Sequence, residues 1–390
     1  MIKMLTASTM EVDDPSLALE EILRQLDLKR NLLKNSVGIL FCNCEFVEEG
    51  IVGKLCGALP FDTAGCTTLA SAEREKCEFE QLSLSVLTSD DVSFSTAISA
   101  PITKSGVSSS VAEVYRRALG KLGGGEDAQK PALVLAYAPV IIDVGSYSIS
   151  YSLLKACGNI PVFGGFSCDN TLRYEQNKVL WNGGSFSDRL ALILMSGEVK
   201  PRFHVTALPE SAARRKWGVI TESEGHVIRK VNGVPLIDYL MSLGLSSDDF
   251  QSGKLALPFA IDAGDGTPPT VRSLRIVMPQ GYGICANDVP TGAAFTVVQL
   301  DCGGVVETAR NTVDKLLQEE DANGIFIHSC INRNTLLGLR ECDEMKVMAA
   351  LGNKAPYHLS YAGGEICPLK NETGAYVNRF HNFTLVSCVL

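Results

Sequence analysis

One pattern of strands and helices occurs three times along the 390 residues and restricts the folds that the chain can adopt. Each time, an apolar run of strand length is followed by a segment with helical spacing, a second strand that ends in small residues, and a further apolar strand. The three occurrences cover residues 37–87, 132–195 and 325–389. In the second and third, the first and last strands begin 57 and 58 residues apart. We interpret the pattern as a duplicated strand–helix–strand–strand unit.

This pattern predicts the fold class. Two strands joined through a helix favour a parallel pair with a right-handed crossover, and the later strands favour antiparallel additions. We therefore expect an α/β (mixed α+β) fold, with two domains of mixed parallel and antiparallel sheets flanked by helices. Prolines and a basic turn between Pro201 and Trp217 place the predicted domain boundary there and divide the chain into residues 1–208 and 209–390. The loop Gly264–Pro269 is typical of a hairpin connection.

One strand of the first unit has a different periodicity. From Leu82 to Leu87, leucine or valine alternates with serine for most of the run. Strict alternation is typical of a strand with one face in the core and one face in water. The segment therefore predicts a half-buried antiparallel strand.

Composition and charge exclude several classes of protein. The chain is 46% hydrophobic and 20% charged, as expected for a buried core and unlike a disordered chain. No segment approaches the roughly 20 apolar residues of a membrane helix, and the first residues lack a signal-peptide pattern. The net charge is −9, and the basic clusters Arg116-Arg117 and Arg214-Arg215-Lys216 are too small for a phosphate-binding stripe. We expect no membrane insertion and no nucleic-acid partner.

The cysteines indicate a reducing compartment. There are 13, an odd number, and they show no paired CxxC spacing. This argues against a disulfide framework and against a structural zinc site. Abundant free thiols suit the cytoplasm, where we expect the protein to reside.

Recognised catalytic motifs are missing from the sequence. It has no Walker A loop, no GxGxxG at a helix start, no GxSxG elbow and no HExxH. The five histidines show no metal-ligand spacing, and His328 lies in an apolar strand, as a core residue would. We expect no metal and no cofactor.

The most unusual polar residues lie in the last third of the chain. Cys330 and Arg333 follow a buried-type strand and precede a helix, the place where open α/β sheets bind small molecules. Arg333 could hold a carboxylate through two parallel hydrogen bonds, or it could be a solvated or salt-bridged residue at the helix start. Glu365 follows Gly364 and could receive an ammonium group, or it could be a turn residue in water. Asn382 offers a donor and an acceptor to a ligand or a turn.

These residues also carry a family resemblance. The chain resembles the FIST-domain family of ligand sensors over about residues 5 to 390. In the first half the resemblance lies in the strand at 37–42, the turn Gly65-Cys66-Thr67-Thr68 and the strand from Leu82. In the second half it lies in Asn232-Gly233-Val234-Pro235-Leu236, then in Ser329-Cys330 with Arg333, Gly364-Glu365 and Asn382-Phe383-Thr384.

The resemblance implies a FIST N-terminal-like domain in residues 1–208, a FIST C-terminal-like domain in residues 209–390, and small-ligand sensing in signal transduction, with amino acids as the ligand class. Members are often fused to output domains, and this chain shows none, so we expect a separate signalling protein as partner. We expect the ligand contacts to be Cys330, Arg333, Gly364, Glu365 and Asn382, with a weaker second group at Gly65, Cys66 and Thr67.

The chain departs from the family pattern at several positions. Asn332 stands where a small residue precedes the arginine, and Phe383 stands where glutamine is common. Ala70-Ser71 replaces a Gly-Glu pair in the first half. These departures bear on the identity of the ligand and on whether the first half keeps a site of its own.

Two other functions fit the same residues. Cys330 could be the nucleophile of an enzyme, with His381 or His358 as its base. The chain could also be an adaptor that binds only protein. The sensor is the interpretation that we carry forward.

Overall fold

The strands and helices below come from a computed structural model, which describes residues 2–73, 76–122, 130–171, 173–207, 217–246, 257–299 and 301–390. The strands are β1 (Ile2–Thr9), β2 (Asn35–Cys42), β3 (Thr63–Thr67), β4 (Ser71–Glu73), β5 (Lys76–Glu78), β6 (Leu82–Ser89), β7 (Ser93–Ile98), β8 (Leu133–Ala138), β9 (Val162–Phe166), β10 (Val179–Trp181), β11 (Gly184–Phe186), β12 (Ala191–Ser196), β13 (Arg202–Thr206), β14 (Gly218–Glu224), β15 (Val227–Val231), β16 (Val234–Pro235), β17 (Leu257–Asp262), β18 (Thr270–Val277), β19 (Gly283–Cys285), β20 (Ala294–Val297), β21 (Ile325–Cys330), β22 (Tyr357–Ala362), β23 (Glu365–Lys370), β24 (Tyr376–His381) and β25 (Leu385–Val389).

The α-helices are α1 (Pro15–Leu26), α2 (Leu28–Asn31), α3 (Cys44–Glu48), α4 (Ile51–Ala58), α5 (Val107–Lys121), α6 (Ser146–Cys157), α7 (Leu236–Ser242), α8 (Cys302–Leu317), α9 (Ile331–Leu337) and α10 (Asp343–Met348). Short 3₁₀ helices cover Gly338–Arg340 and Ala349–Asn353. The start of α1 shows how local chemistry sets a boundary. The Asp14 side chain accepts hydrogen bonds from the backbone of Ser16 and Leu17, and Pro15 occupies the first turn.

The described strands form three six-stranded sheets with the same internal order. The orders are β1-β6-β2-β3-β10-β11, β7-β12-β8-β9-β23-β24 and β13-β25-β21-β22-β4-β5. In each sheet the two central strands are parallel and are joined through a helical crossover, as the repeated pattern predicts. The predicted fold class, mixed sheets flanked by helices, is therefore confirmed.

Each sheet is completed by a hairpin from another unit. The hairpin β10–β11 of the second unit extends the first sheet, β23–β24 of the third extends the second, and β4–β5 of the first extends the third. Residues of all three sheets, among them Phe41, Tyr137 and Phe326, form one central core. Helices cover the outer faces: α1 and α4 on the first sheet, α5 and α6 on the second, and α8 and α10 on the third.

The predicted half-buried strand is β6, and here the prediction was incomplete. It pairs antiparallel with β1 and β2, as expected, but both of its faces are buried. Leu82, Leu84 and Val86 pack on the helices outside the sheet. Ser83 and Ser85 point the other way and hydrogen-bond other buried side chains, so the polar face is satisfied without water.

A separate antiparallel sheet is inserted between β13 and α8, ahead of the third unit. Its order is β14-β20-β17-β18-β19-β15-β16, and an additional pairing of β14 with β15 closes it into a small barrel with a core of its own. The predicted hairpin at Gly264–Pro269 is confirmed, because it joins the antiparallel strands β17 and β18. No helix among the described residues is long and apolar enough to cross a membrane.

The predicted domain boundary at 208/209 and the basic cluster at 214–216 lie outside the described residues. The division into residues 1–208 and 209–390 therefore stays a prediction.

The close approach of β2 and β3 gives a test of the parallel pairing. A Cβ on Gly65 would overlap the carbonyl oxygen of Leu40 on the neighbouring strand. We expect Gly65→Ala to lower the free energy of unfolding by about 3 kcal/mol, because the strands must separate. Urea denaturation measures this.

Gly57→Ala is the matched control. Gly57 lies in α4, and a Cβ there would meet no atom within 4 Å. Its replacement should leave stability unchanged or raise it by up to about 1 kcal/mol. Equal stability of the two variants would contradict the close approach at Gly65.

Candidate functional site

Several predicted site residues meet where β21, β23 and β25 begin or end. Cys330 is the last residue of β21, and its backbone N–H donates to the carbonyl of Thr384, 3.0 Å away. Glu365 opens β23, and its Oε2 accepts a hydrogen bond of 2.7 Å from the Thr384 hydroxyl. The Cys330 thiol lies beside this carboxyl group. The structure thus brings Cys330 and Glu365 together, as the sequence predicts for strand ends.

Cys330, Glu365 and Asn382 are buried, and two of their oxygen atoms have no hydrogen-bond partner within the described part of the chain. Glu365 has no exposed surface, and Asn382 is 2% exposed. Among the described residues, neither Glu365 Oε1 nor Asn382 Oδ1 has a hydrogen-bond partner of ordinary geometry. Burial raises the pKa of Glu365 to about 8, against the opposing effects of Thr384, Cys330 and the Arg333 charge. The carboxyl group is therefore mostly protonated at neutral pH, and a cation that binds beside it would favour release of its proton to solvent.

Position 364, beside Glu365, requires a glycine because of its backbone conformation and its packing. Its φ of +152° is rare for other residues, and a Cβ would overlap the ring of Phe380. Its carbonyl accepts a 2.9 Å hydrogen bond from the backbone of Phe166 on the second sheet. The Asn382 amide lies 3.4 Å from where that Cβ would stand. Gly364 thus joins Phe380 to the Cys330–Glu365 group.

Arg333 is engaged in a buried ion pair. Its Nε and Nη2 donate to Oε1 of Glu344 on α10, at 2.9 and 2.5 Å, and both side chains are 0% exposed. Nη2 also donates to the Thr308 hydroxyl of α8 at 3.0 Å, and the Ser329 hydroxyl donates to Glu344 at 2.6 Å. Of the alternatives left open above, the structure shows the salt-bridged one. Only Nη1 has no partner among the described residues. The assignment of Arg333 as a ligand contact stays a prediction.

The second predicted group, Gly65, Cys66 and Thr67, lies on β3 of the first sheet. The Cys66 side chain belongs to the central core, and burial raises the pKa of its thiol. The Thr67 hydroxyl accepts a 2.8 Å hydrogen bond from the backbone of Lys178, beside β10. Contacts among the described residues do not join this group to Cys330 or Glu365. Its part in ligand binding remains untested.

Sequence reasoning missed a cleft of about 340 Å³ between α6, strand β24 and the inserted barrel. Its charged and polar lining includes Tyr147, Lys155, Arg272, Asn287, Asp288 and Arg379. The lining residues come from four separate segments of the chain, so no local sequence motif predicts the cleft. The one available signal was Arg272, a charged residue within the strand-like run Thr270–Val277.

The cleft adjoins the Cys330–Glu365 group through one residue. Phe380 lines the cleft, and its ring packs on Gly364. The carbonyl of Phe380 accepts a 2.8 Å hydrogen bond from Nη1 of Arg272 and a 3.4 Å one from Asn287, both on the barrel side. Phe380 thus connects the lining of the cleft to Gly364, which precedes Glu365 and lies near Asn382, while neither Glu365 nor Asn382 lines the cleft.

The geometry around Cys330 does not match that of an activated thiol. Burial raises the pKa of Cys330 well above the ordinary thiol value, and the nearby charge of Glu365 raises it further. His358 Nδ1 lies 3.0 Å from the Ser85 hydroxyl, and His381 Nε2 donates to the carbonyl of Cys367 at 2.9 Å. Burial lowers the pKa of both histidines to about 3. Among the described residues, the ionisable side chain beside the Cys330 thiol is therefore the carboxyl group of Glu365, and not an imidazole that could act as its base. Across the described residues, no group of three His, Cys, Asp or Glu side chains could hold a metal ion.

These features define a class: an α/β protein of three hairpin-exchanging sheets, with a buried acid behind a charged cleft. Comparison with protein families gives two matches, the FIST N domain over residues 36–234 and the FIST C domain over residues 236–368. The chain therefore belongs to the FIST family, whose domains are associated with sensory signal transduction.

Other comparisons add little. No curated protein matches the sequence. Among solved structures, the chain is similar to the crystal structure of a cyanuric acid hydrolase from A. caulinodans, at 8% identity and a TM-score of 0.39. The alignment covers 100% of this chain and 99% of that one. A likeness at this level carries no information on activity.

The Arg333–Glu344 pair gives a testable energetic prediction. Arg333→Met leaves the Glu344 carboxylate buried and unpaired, and we expect it to lower the free energy of unfolding by about 3–5 kcal/mol. The double variant Arg333→Met/Glu344→Leu removes both charges and should lose less than the sum of the two single variants. Urea denaturation of the four proteins measures the coupling. Additive losses would show that the two side chains do not interact.

A second prediction concerns the reactivity of Cys330. Its buried thiol should react with iodoacetamide at pH 7 at least about ten-fold more slowly than Cys302, which is partly exposed. Peptide mapping by mass spectrometry after timed alkylation measures both rates in one sample. Preferential labelling of Cys330 would instead support the cysteine-enzyme alternative.

Proposed function

We propose that this protein is a cytoplasmic sensor of small molecules, with amino acids as the ligand class, and that it passes its signal to a separate signalling protein. The proposal combines the family's association with sensory signalling and the chemistry of the cleft. The cytoplasmic location rests on the number of cysteines, because the described ones are free thiols.

The observation that carries the proposal is the presence of both charge signs in one cavity of suitable size. Lys155 and Arg272 supply positive charge, and Asp288 supplies negative charge. Small-molecule sites are typically concave, with a few polar groups that fix the ligand's orientation. A zwitterion offers a carboxylate to the first pair and an ammonium group to Asp288.

The buried group behind Phe380 has a complementary role in this proposal. Contact of a ligand with Glu365 or Asn382 requires the Phe380 ring to move, because that ring packs against Gly364. The unpartnered Asn382 Oδ1 suits a donor such as an ammonium group, and the Glu365 carboxyl group does so after it loses its proton. Displacement of Phe380 would then link occupancy of the cleft to the strand ends of the third sheet.

Thermal unfolding against a panel of amino acids, small carboxylates and nucleotides tests the function. A ligand at 100 times its dissociation constant adds about 2.7 kcal/mol of stability. At about 2.1 cal/mol/K of unfolding entropy per residue over 390 residues, we expect the melting temperature to rise by about 3 °C, and only with amino acids. Native mass spectrometry of the purified protein detects any ligand already bound.

Variants locate the response. Asp288→Asn should lose most of the shift, because it removes the negative charge that faces the ligand's ammonium group. Asp143→Asn is the control, since Asp143 is exposed and does not line the cleft. Absence of any shift in a ligand-free preparation, across the whole panel, would contradict the proposed function.

A further inference from the structure

Arg272 is a buried cation without a carboxylate partner. It lies on β18, is 5% exposed and lines the cleft. The other two arginines discussed above are paired, Arg333 with Glu344 and Arg379 with Asp265. No ion pair of the described residues includes Arg272. Asp288 lies beyond ion-pair distance, although its charge still favours the cationic form of Arg272. A buried charge is normally paired, because removing it from water carries a large free-energy penalty.

The guanidinium group is held in place with part of its donor capacity unused. Nη1 donates to the carbonyl of Phe380 at 2.8 Å. Nε is buried and has no partner among the described residues. Burial lowers the pKa of Arg272 to about 10, which still leaves it charged at neutral pH. A planar guanidinium that is already oriented binds a carboxylate with little further ordering.

The surrounding charges favour a ligand with one negative charge. Arg379 on β24 is neutralised by Asp265 of the β17–β18 loop. The remaining charged groups of the lining are Arg272, the exposed Lys155 of α6 and the partly buried Asp288. They carry one net positive charge, so a dianion such as a phosphate would be left with an unbalanced charge near Asp288.

The rest of the lining is suited to an apolar body. Tyr147, Tyr151 and Leu154 project from successive turns of α6, and Pro268 faces them from the barrel. Tyr151 is 55% exposed, so this surface is not filled by the protein's own side chains. A flat or branched apolar group could cover it while a carboxylate meets Arg272.

We propose that Arg272 binds the carboxylate of a small ligand that carries a single anionic group, with the ligand's apolar body against α6. This deepens the proposed function and rests on it, since it names the residue and the charge by which the cleft selects its ligand. The carboxylate would accept hydrogen bonds from the unused donors of the guanidinium group and add a counter-charge to the more distant one of Asp288.

Three related probes test the proposal: L-phenylalanine, 3-phenylpropionate, which lacks the amine, and 2-phenylethylamine, which lacks the carboxylate. Arginine labelled with ¹⁵N at Nε gives one NMR signal per residue, and the signal missing from Arg272→Gln identifies Arg272. We expect that signal to shift with both carboxylates at millimolar concentration and to stay in place with the amine.

Affinity measurements on variants separate binding from structure. Arg272→Gln should weaken binding of 3-phenylpropionate by at least about ten-fold, the equivalent of one charge-assisted hydrogen bond. Arg275→Gln is the control and should keep its affinity within about three-fold, because Arg275 is exposed on the same strand and does not line the cleft. Arg272→Lys is the second variant if the glutamine variant fails to fold, and it should also weaken binding, since lysine lacks the planar pair of donors.

Two results would overturn the proposal. One is an Arg272 signal that both carboxylates leave unmoved, and the other is equal affinity of 3-phenylpropionate for the native protein and the Arg272 variants. A thermal response to amines or other ligands without a carboxylate would leave the sensor function standing and remove only the role of Arg272. Loss of every thermal response would instead remove the proposed function itself.

Discussion

The exchange of hairpins between the three units is the constraint on which the rest of the structure depends. None of the three six-stranded sheets is complete with the strands of its own unit. Each borrowed hairpin pairs antiparallel with the second strand of the parallel pair in its host sheet: β10 with β3, β23 with β9, and β4 with β22. Unfolding of one unit would therefore remove two strands from one neighbouring sheet and leave the hairpin of another without a partner. This interdependence makes three similar segments into one body with a shared core.

Enclosure by three sheets also explains how charge is managed inside. Strand ends that would face water in an open sheet are here covered by another unit, so their polar side chains are buried. Burial keeps Glu365 largely neutral and keeps His358 and His381 uncharged at neutral pH. Where a full charge remains, as at Arg333, a carboxylate compensates it. Against this background, a buried guanidinium with no such partner is an exception that a bound ligand can explain.

Much of the fold was predictable because its signals are local. Apolar runs of strand length, helical spacing and small residues at strand ends located the three parallel pairs, and the loop Gly264–Pro269 announced its hairpin. The hairpin exchange was not predictable, since a strand's sequence does not identify its partner across more than a hundred residues. The half-burial predicted for β6 was wrong for a related reason. Serines in an alternating strand usually indicate a face in water, but Ser85 hydrogen-bonds a buried histidine from a distant strand.

At the site, the strand ends bring Cys330 and Glu365 together as expected. The partner of Arg333 was not predicted, because it lies eleven residues away on another helix.

The position of the cleft ties ligand binding to the exchange itself. One wall belongs to the inserted barrel, and another is β24, in the hairpin that the third unit contributes to the second sheet. Arg272 and Asn287 connect the two walls through the single carbonyl group of Phe380. A ligand bound there, as proposed above, would lie against Phe380, whose ring packs on Gly364. Because that hairpin comes from the third unit and pairs in the second sheet, a change in its position would affect both, and the proposed ligand would then have a physical route to the core of the protein.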